Sequence, residues 1–192
     1  MTKEESTKTN TGRKNASEQL KESIRCIPDF PKKGINFRDV TTLLKDAKAL
    51  RMAIDEMVEH YLKTGKHFDK VVSMESRGFI FGSILAYEFH AGFVPVRKPG
   101  KLPAKTYKVK YDLEYGSDEF EIHKDAIEKG EKVLIVDDLL ATGGTAEATV
   151  KLVEELGGTV EGMCFLIELT SLKGRDKIKK YDTMALIQYS EE

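Results

Sequence analysis

The sequence predicts a single α/β domain with a mainly parallel central sheet flanked by helices. Short apolar runs that read as buried strands alternate with helical stretches, the order that a parallel sheet with right-handed crossovers requires. One of those runs ends in two adjacent acids followed by a glycine-rich turn, and ligands of open α/β sheets bind beyond the carboxyl ends of the strands. A chain of 192 residues suits one compact core, and no internal repeat or linker divides it.

Each element follows from local pattern. Residues 1–15 are polar and lack an apolar run, so they cannot offset the entropy of ordering and are expected to form a flexible tail, with one domain over 16–192. A short helix over 17–24 is ended by the Pro28 and Pro31 region, and 31–40 reads as irregular. Leu50, Ile54, Met57, Val58 and Tyr61 recur at helical spacing and predict an amphipathic helix over 46–62. Strands are expected at 70–74, 92–96, 132–136, 162–167 and 184–188, with an outlying strand at 120–123. Helices fall at 78–90, 144–156 and 171–179, and the second is stopped by Gly157 and Gly158 in a left-handed cap. The stretch 98–118 is long, polar and without clear periodicity, as expected of a lid or mobile binding element.

Composition excludes several classes. Lys and Arg total 31 against 32 Asp and Glu, so no general field attracts nucleic acid or an acidic membrane. No run reaches the ~18 apolar residues of a spanning helix, and no secretory signal opens the chain. Cys26 and Cys164 stand far apart, in no ligand spacing, which fits free thiols in a reducing cytoplasm.

The most informative stretch is VLIVDDLLATGGT, residues 133–145. The turn from Ala141 through Thr142, Gly143 and Gly144 to Thr145 lets backbone N–H groups approach an anion without a Cβ in the way. A helix N-terminus there favours phosphate, and the two threonine hydroxyls add donors. Asp137 and Asp138 would repel phosphate but accept hydrogen bonds from neutral hydroxyls. Acids beside a phosphate cradle therefore indicate a sugar phosphate, with the carboxylates on a ribose diol. Neither a G-x-x-x-x-G-K-[ST] nor a G-x-G-x-x-G pattern is present.

That string resembles the phosphoribosyl-pyrophosphate signature of the type I phosphoribosyltransferases. Within them the chain is similar, over about 27–189, to the adenine-specific family. The matching blocks are PDFP (28–31), FRDV (37–40), ESRGF (75–79), RKPGKLP (97–103), LEYG (113–116) and ELTSLKGR (168–175). The resemblance implies the type I phosphoribosyltransferase fold with a flexible lid loop, and adenine and 5-phosphoribosyl-1-pyrophosphate (PRPP) as substrates. It implies Mg²⁺ bound through PRPP or pyrophosphate with no ligand directly from the protein, and a homodimer.

The resemblance also assigns roles. Glu75, Ser76 and Arg77 form the pyrophosphate loop, with a non-proline cis bond expected between Glu75 and Ser76. Arg97, Lys98 and Lys101 neutralise pyrophosphate, Arg97 acting across the dimer interface. Glu114 is the catalytic acid/base and Tyr115 its lid neighbour. Asn36, Phe37 and Arg38 bind adenine, Phe37 by stacking and its neighbours through backbone groups; Asn36 stands where the family usually has Val or Ile. Two alternatives share the signature: an enzyme for xanthine, hypoxanthine or guanine, and a non-catalytic PRPP-sensing regulator. The 113–116 and 168–175 blocks oppose the first. The brevity of the polar N-terminus, too short for a DNA-binding module, and the presence of Glu114 oppose the second.

Overall fold

The computed structural model describes residues 15–112 and 117–190. In chain order it contains α1 (Ala16–Ser23), β1 (Arg25–Ile27), β2 (Phe37–Asp39), α2 (Thr41–Leu44), α3 (Ala47–Thr64), β3 (Lys70–Met74), α4 (Gly78–Glu88), β4 (Gly92–Val96), β5 (Thr106–Asp112), β6 (Ser117–His123), β7 (Lys132–Leu140), α5 (Gly144–Glu155), β8 (Thr159–Leu169) and β9 (Thr183–Tyr189). Two short 3₁₀ turns, Thr170–Leu172 and Gly174–Lys177, lie between β8 and β9.

The central sheet has the order β4-β3-β7-β8-β9, and every pairing in it is parallel. Alternation along its strands sorts side chains to two faces. Val71, Leu134, Val136, Cys164, Leu166 and Ile187 join one core with residues of α1, α3 and α4. Val72, Val94, Val133, Ile135, Met163 and Phe165 join a second, beneath α5 and the β5–β6 hairpin. After β3 the chain steps outward to β4, then returns to place β7 on the other side of β3. The crevice between the ends of β3 and β7 is thus a topological switch point, where open α/β sheets bind ligands.

α4 reaches this crevice because it lies unusually close to the sheet. A Cβ at Gly78 would come 2.6 Å from Asp137 Oδ1 and 2.8 Å from Ser73 Oγ. A Cβ at Gly82, one turn on, would come 2.6 Å from Ser73 Cβ. Ser73 is fully buried and donates to the Val136 carbonyl at 2.7 Å, so it cannot retreat. Only glycine at 78 and 82 permits this approach.

The structure corrects four expectations. The stretch 98–118 contains β5, paired antiparallel with β6, and is not wholly irregular. Its alternation was present in Tyr107, Val109 and Tyr111, which are buried or half-buried, against the exposed Lys108 and Lys110. The helix expected over 171–179 is two 3₁₀ turns, broken at Lys173, whose φ is 51°. The irregular segment 31–40 ends in β2, which pairs with β1 to form a small antiparallel ribbon. Asn15, assigned to the tail, caps α1 through a reciprocal arrangement with Glu18.

The ribbon is pinned by Asp39. Its carboxylate accepts from Thr41 N at 2.9 Å and Thr41 Oγ1 at 2.6 Å, and from Arg25 Nε at 3.1 Å and Nη2 at 2.5 Å. The Thr41 hydroxyl, then Arg25, lower its pKa from 3.8 to about 2. A carboxyl depressed in the folded state contributes stability that is complete above its unfolded pKa and lost as pH falls through its folded one. Urea-unfolding midpoints should therefore decline between about pH 5 and about pH 2 more steeply in the parent protein than in Asp39→Asn.

Candidate active site

The switch point opens into a cavity of about 560 Å³. The first wall follows β3: Met74, Glu75, Ser76 and Arg77. The Glu75–Ser76 peptide bond is cis, as expected from the ESRGF block. The second wall follows β7: Asp137, Asp138, Leu139, Ala141, Thr142, Gly143 and Thr145. Lys98, Tyr111, Asp118 and Phe120 complete it.

β7 carries its register past the apolar run, and this extension sets the carboxylates. Asp138 is buried and accepts from Arg77 Nε at 2.7 Å. Asp137 accepts from the Asp138 N–H at 2.9 Å, and its Oδ1 lies against Gly78 at the start of α4. Burial raises the pKa of both acids, and the charge of Asp138 raises Asp137 further. Arg77 opposes the rise at Asp138. Asp138 is buried and paired, Asp137 is half-buried beside it, and both line the cavity, where a carboxylate can accept hydrogen bonds.

Beyond them, Gly143 takes a left-handed φ of 77° and opens α5, whose first turn has no side-chain cap. The N–H groups of that turn are left for a ligand, and the helix dipole favours an anion. The turn from Ala141 to Thr145 thus sets an uncapped helix start beside two carboxylates.

The cations at the entrance are each held by a carboxylate. Glu75 accepts from Arg97 Nε at 3.2 Å and Nη2 at 3.1 Å, from Lys101 Nζ at 3.0 Å and from the Lys98 N–H at 2.6 Å. Burial opposes ionisation of Glu75, but these donors outweigh it and its pKa is lowered. Lys98 Nζ pairs with Asp118 at 2.8 Å, which raises the lysine and lowers the acid. Arg97 and Lys101 therefore sit behind Glu75 rather than along the cavity wall.

The residues expected to bind the base lie on and just before β2. Phe37 stands edge-on to Phe30, centroids 5.2 Å apart, and the Arg77 guanidinium lies 5.7 Å from its ring. Phe37 is thus tied to the cavity through Arg77. Arg38, next along β2, places its guanidinium 4.1 Å over the Tyr189 ring instead. Asn36 immediately precedes the strand. Glu114 and Tyr115 lie outside the described residues. Tyr111, Asp118 and Phe120 were not anticipated; the alternation of β5 and the pairing of β6 with it were the signals that could have found them.

A parallel sheet with an uncapped helix start and adjacent carboxylates at its switch point is the arrangement in which α/β enzymes bind ligands. Residues 40–190 match the family model of the phosphoribosyl transferase domain, which fixes the class. An adenine phosphoribosyltransferase of Acidobacterium capsulatum is 59% identical over 174 residues, 91% of this chain and 95% of that one. The crystal structure of adenine phosphoribosyltransferase from Thermoanaerobacter pseudethanolicus superposes with a TM-score of 0.85 at 57% identity, covering 90% of this chain and 99% of that one. The Saccharomyces cerevisiae enzyme, solved with an imino-altritol bisphosphate and adenine, gives 0.85 at 42% identity over 89% and 98% of the two chains. The chain belongs to the adenine phosphoribosyltransferase family.

Two outcomes follow for the carboxylate pair. Gly78→Ala should push Asp137 or α4 out of place, costing about 1–3 kcal/mol of stability and weakening PRPP binding, measured by denaturant unfolding and calorimetry. Asp137→Asn should raise the unfolding temperature while removing activity. A pKa raised by burial means that the charge costs folding at neutral pH, so the gain should be largest there. It should vanish below about 3.8, where the acid is protonated in both states.

Proposed function

We propose that the protein transfers the 5-phosphoribosyl group of PRPP to adenine, giving AMP and pyrophosphate in purine salvage, in the cytoplasm and as a homodimer. The observation that carries this reading is the adjacent Asp137 and Asp138 lining the cavity beside the uncapped start of α5.

The chemistry is displacement at the anomeric carbon, with adenine N9 attacking as pyrophosphate leaves. Positive charge develops on the ribose ring in the transition state. Asp137 and Asp138 hold the ribose hydroxyls and lower the cost of that charge. The cradle from Ala141 to Thr145 grips the 5′-phosphate, so binding energy remote from the reaction positions the reacting carbon. Arg77 and Lys98 on the cavity wall receive the leaving group, Lys101 joins them by turning from Glu75, Arg97 acts across the dimer interface, and backbone N–H groups of the 75–77 turn add donors. Phe37 stacks on adenine, with Asn36 and Arg38 reading its edge through backbone groups. Glu114 manages the proton that adenine loses, and Tyr115 belongs to the lid that excludes water.

Among the described residues no three His, Cys, Asp or Glu side chains gather to hold a metal by themselves. The hard oxygen donors at the cavity suit Mg²⁺ held through PRPP oxygens and water, with Asp137 and Asp138 accepting from its water shell. When bound, the ion neutralises charge on the diphosphate.

The homodimer rests on α4 and its neighbour. GFIFGSILAYE is apolar on every side, yet Ile80 is 38% and Tyr87 79% exposed, and Phe93 of the edge strand β4 is 37% exposed. A helix apolar all round belongs between two layers, and a second copy supplies the missing one.

AMP formation from labelled adenine, PRPP and Mg²⁺ tests the reaction. Glu114→Ala and the double variant Asp137→Asn/Asp138→Asn should each lower kcat/KM on the order of 10²-fold or more. Turnover of another purine but not adenine would reject the base assignment, and silence with every base would reject the enzyme. Sedimentation equilibrium should give a dimer, and Ile80→Asp should shift it toward monomer.

A further inference from the structure

The phosphate cradle does not stand alone. Its back is pressed against the turn between the two 3₁₀ segments, and the contact is backbone on backbone. A Cβ at Gly174 would collide with the Ala141 carbonyl oxygen and lie 2.8 Å from Gly143 N. A Cβ at Gly143 would collide in turn with the Gly174 carbonyl oxygen and lie 3.0 Å from its carbon. The two glycines face each other, and neither position tolerates a side chain.

The turn is itself anchored by the residue that follows. Arg175 donates to Glu168 through Nε at 2.9 Å and Nη2 at 2.5 Å, and to the Thr183 carbonyl through Nη1 at 2.8 Å. Glu168, 4% exposed, also accepts from Gln188 Nε2 at 3.1 Å. It pairs across the sheet with Leu140, the residue immediately before the cradle. A planar guanidinium forked onto a buried carboxylate fixes orientation as well as distance. The chain Gln188–Glu168–Arg175–Gly174 thus runs from β9 through the end of β8 to the underside of residues 141–143.

We infer that Gly174 and the Glu168–Arg175 pair are positioning residues for the 5′-phosphate: they set the shape of the 141–145 turn from behind and touch no substrate themselves. The argument rests on the phosphate assignment made for that turn. Geometric errors at a binding turn are amplified, since displacement by about 1 Å can cost on the order of 10²-fold. A displaced cradle weakens the grip on phosphate and leaves the base platform, built from β2, untouched.

The test measures binding of ribose 5-phosphate by calorimetry, together with KM for PRPP and for adenine, in Gly174→Ala, Arg175→Lys and Arg175→Ala. Thermal unfolding of each ligand-free variant is followed in parallel. Gly174→Ala and Arg175→Ala should raise the ribose 5-phosphate Kd and the KM for PRPP on the order of tenfold or more, with the adenine KM within about twofold. Arg175→Lys, which keeps the charge but loses the fork, should fall between parent and alanine variant. The inference is overturned if a folded variant binds ribose 5-phosphate as the parent does, or if affinities for the phosphate ligand and adenine fall together. It is equally overturned if the parent does not bind ribose 5-phosphate. Should Gly174→Ala fail to fold, Arg175→Lys decides by the same criteria. The ribose 5-phosphate arm needs no adenine, so lack of adenine turnover in the parent would count against the transferase reading alone.

Discussion

The architecture depends on one electrostatic constraint: two adjacent carboxylates, Asp138 buried and Asp137 half-buried, must be held together at the end of β7. Each of the groups around them reduces the cost of that burial. The N-terminus of α4 is brought against Asp137 by a helix that carries glycine at 78 and 82, so a positive helix end replaces lost water. Arg77, the residue before that helix, compensates Asp138 directly. Ser73 ties β3 to β7 at the same level and gives α4 a floor to rest on. The strand order follows from the same need. Only with β3 and β7 adjacent do the 75–77 turn and the 141–145 turn share one crevice.

The cations obey a second rule of neutrality. Arg77 is paired with Asp138, Lys98 with Asp118, and Arg97 and Lys101 with Glu75. These pairs keep like charges from repelling one another around the cavity. Glu75 is also held by the Lys98 N–H, so its carboxylate stays in place when a side-chain cation turns toward an anion. A polyphosphate offers several charges at once and can compete with single carboxylates for them. A neutral ligand cannot. Under the proposed function the entrance discriminates by charge, whereas the floor, made of Asp137 and Asp138, discriminates by hydrogen bonding.

Legibility of the fold followed the strength of local pattern. β3 and β4 were bounded correctly because Lys70–Met74 and Gly92–Val96 are compact apolar runs between turn signals. The walls of the site were legible because Asp-Asp followed by a two-glycine turn is chemically specific. β5 was missed because its alternation is carried by Tyr and Val against Lys, inside a stretch whose overall polarity suggested a loop. The 3₁₀ turns read as one helix because nothing local announced that Lys173 would adopt a positive φ. Its neighbour Gly174 lies against residues 141–143, a tertiary contact that no local pattern encodes. β1 and β2 are three residues each, too short for periodicity to register, and their ribbon depends on Asp39 meeting Arg25 from fourteen residues away.

The residues hardest to read are those that act through backbone. Gly143 and Gly174 carry no functional group, and 31 positions separate them, yet each excludes a Cβ at the other. A side chain announces its chemistry in the sequence. A missing side chain announces only that space is needed, not what fills it. The Glu168–Arg175 pair shows the complementary case: its chemistry is visible, but its partners place it behind the site rather than in it. Its pKa pattern agrees, for Arg175 lowers Glu168 and is itself raised, so the pair stays ionised. Asp137, by contrast, is raised by burial and by its neighbour's charge. Buried acids that are fully satisfied hold structure in place. An acid half-exposed at the cavity, as Asp137 is, can accept further hydrogen bonds from a ligand.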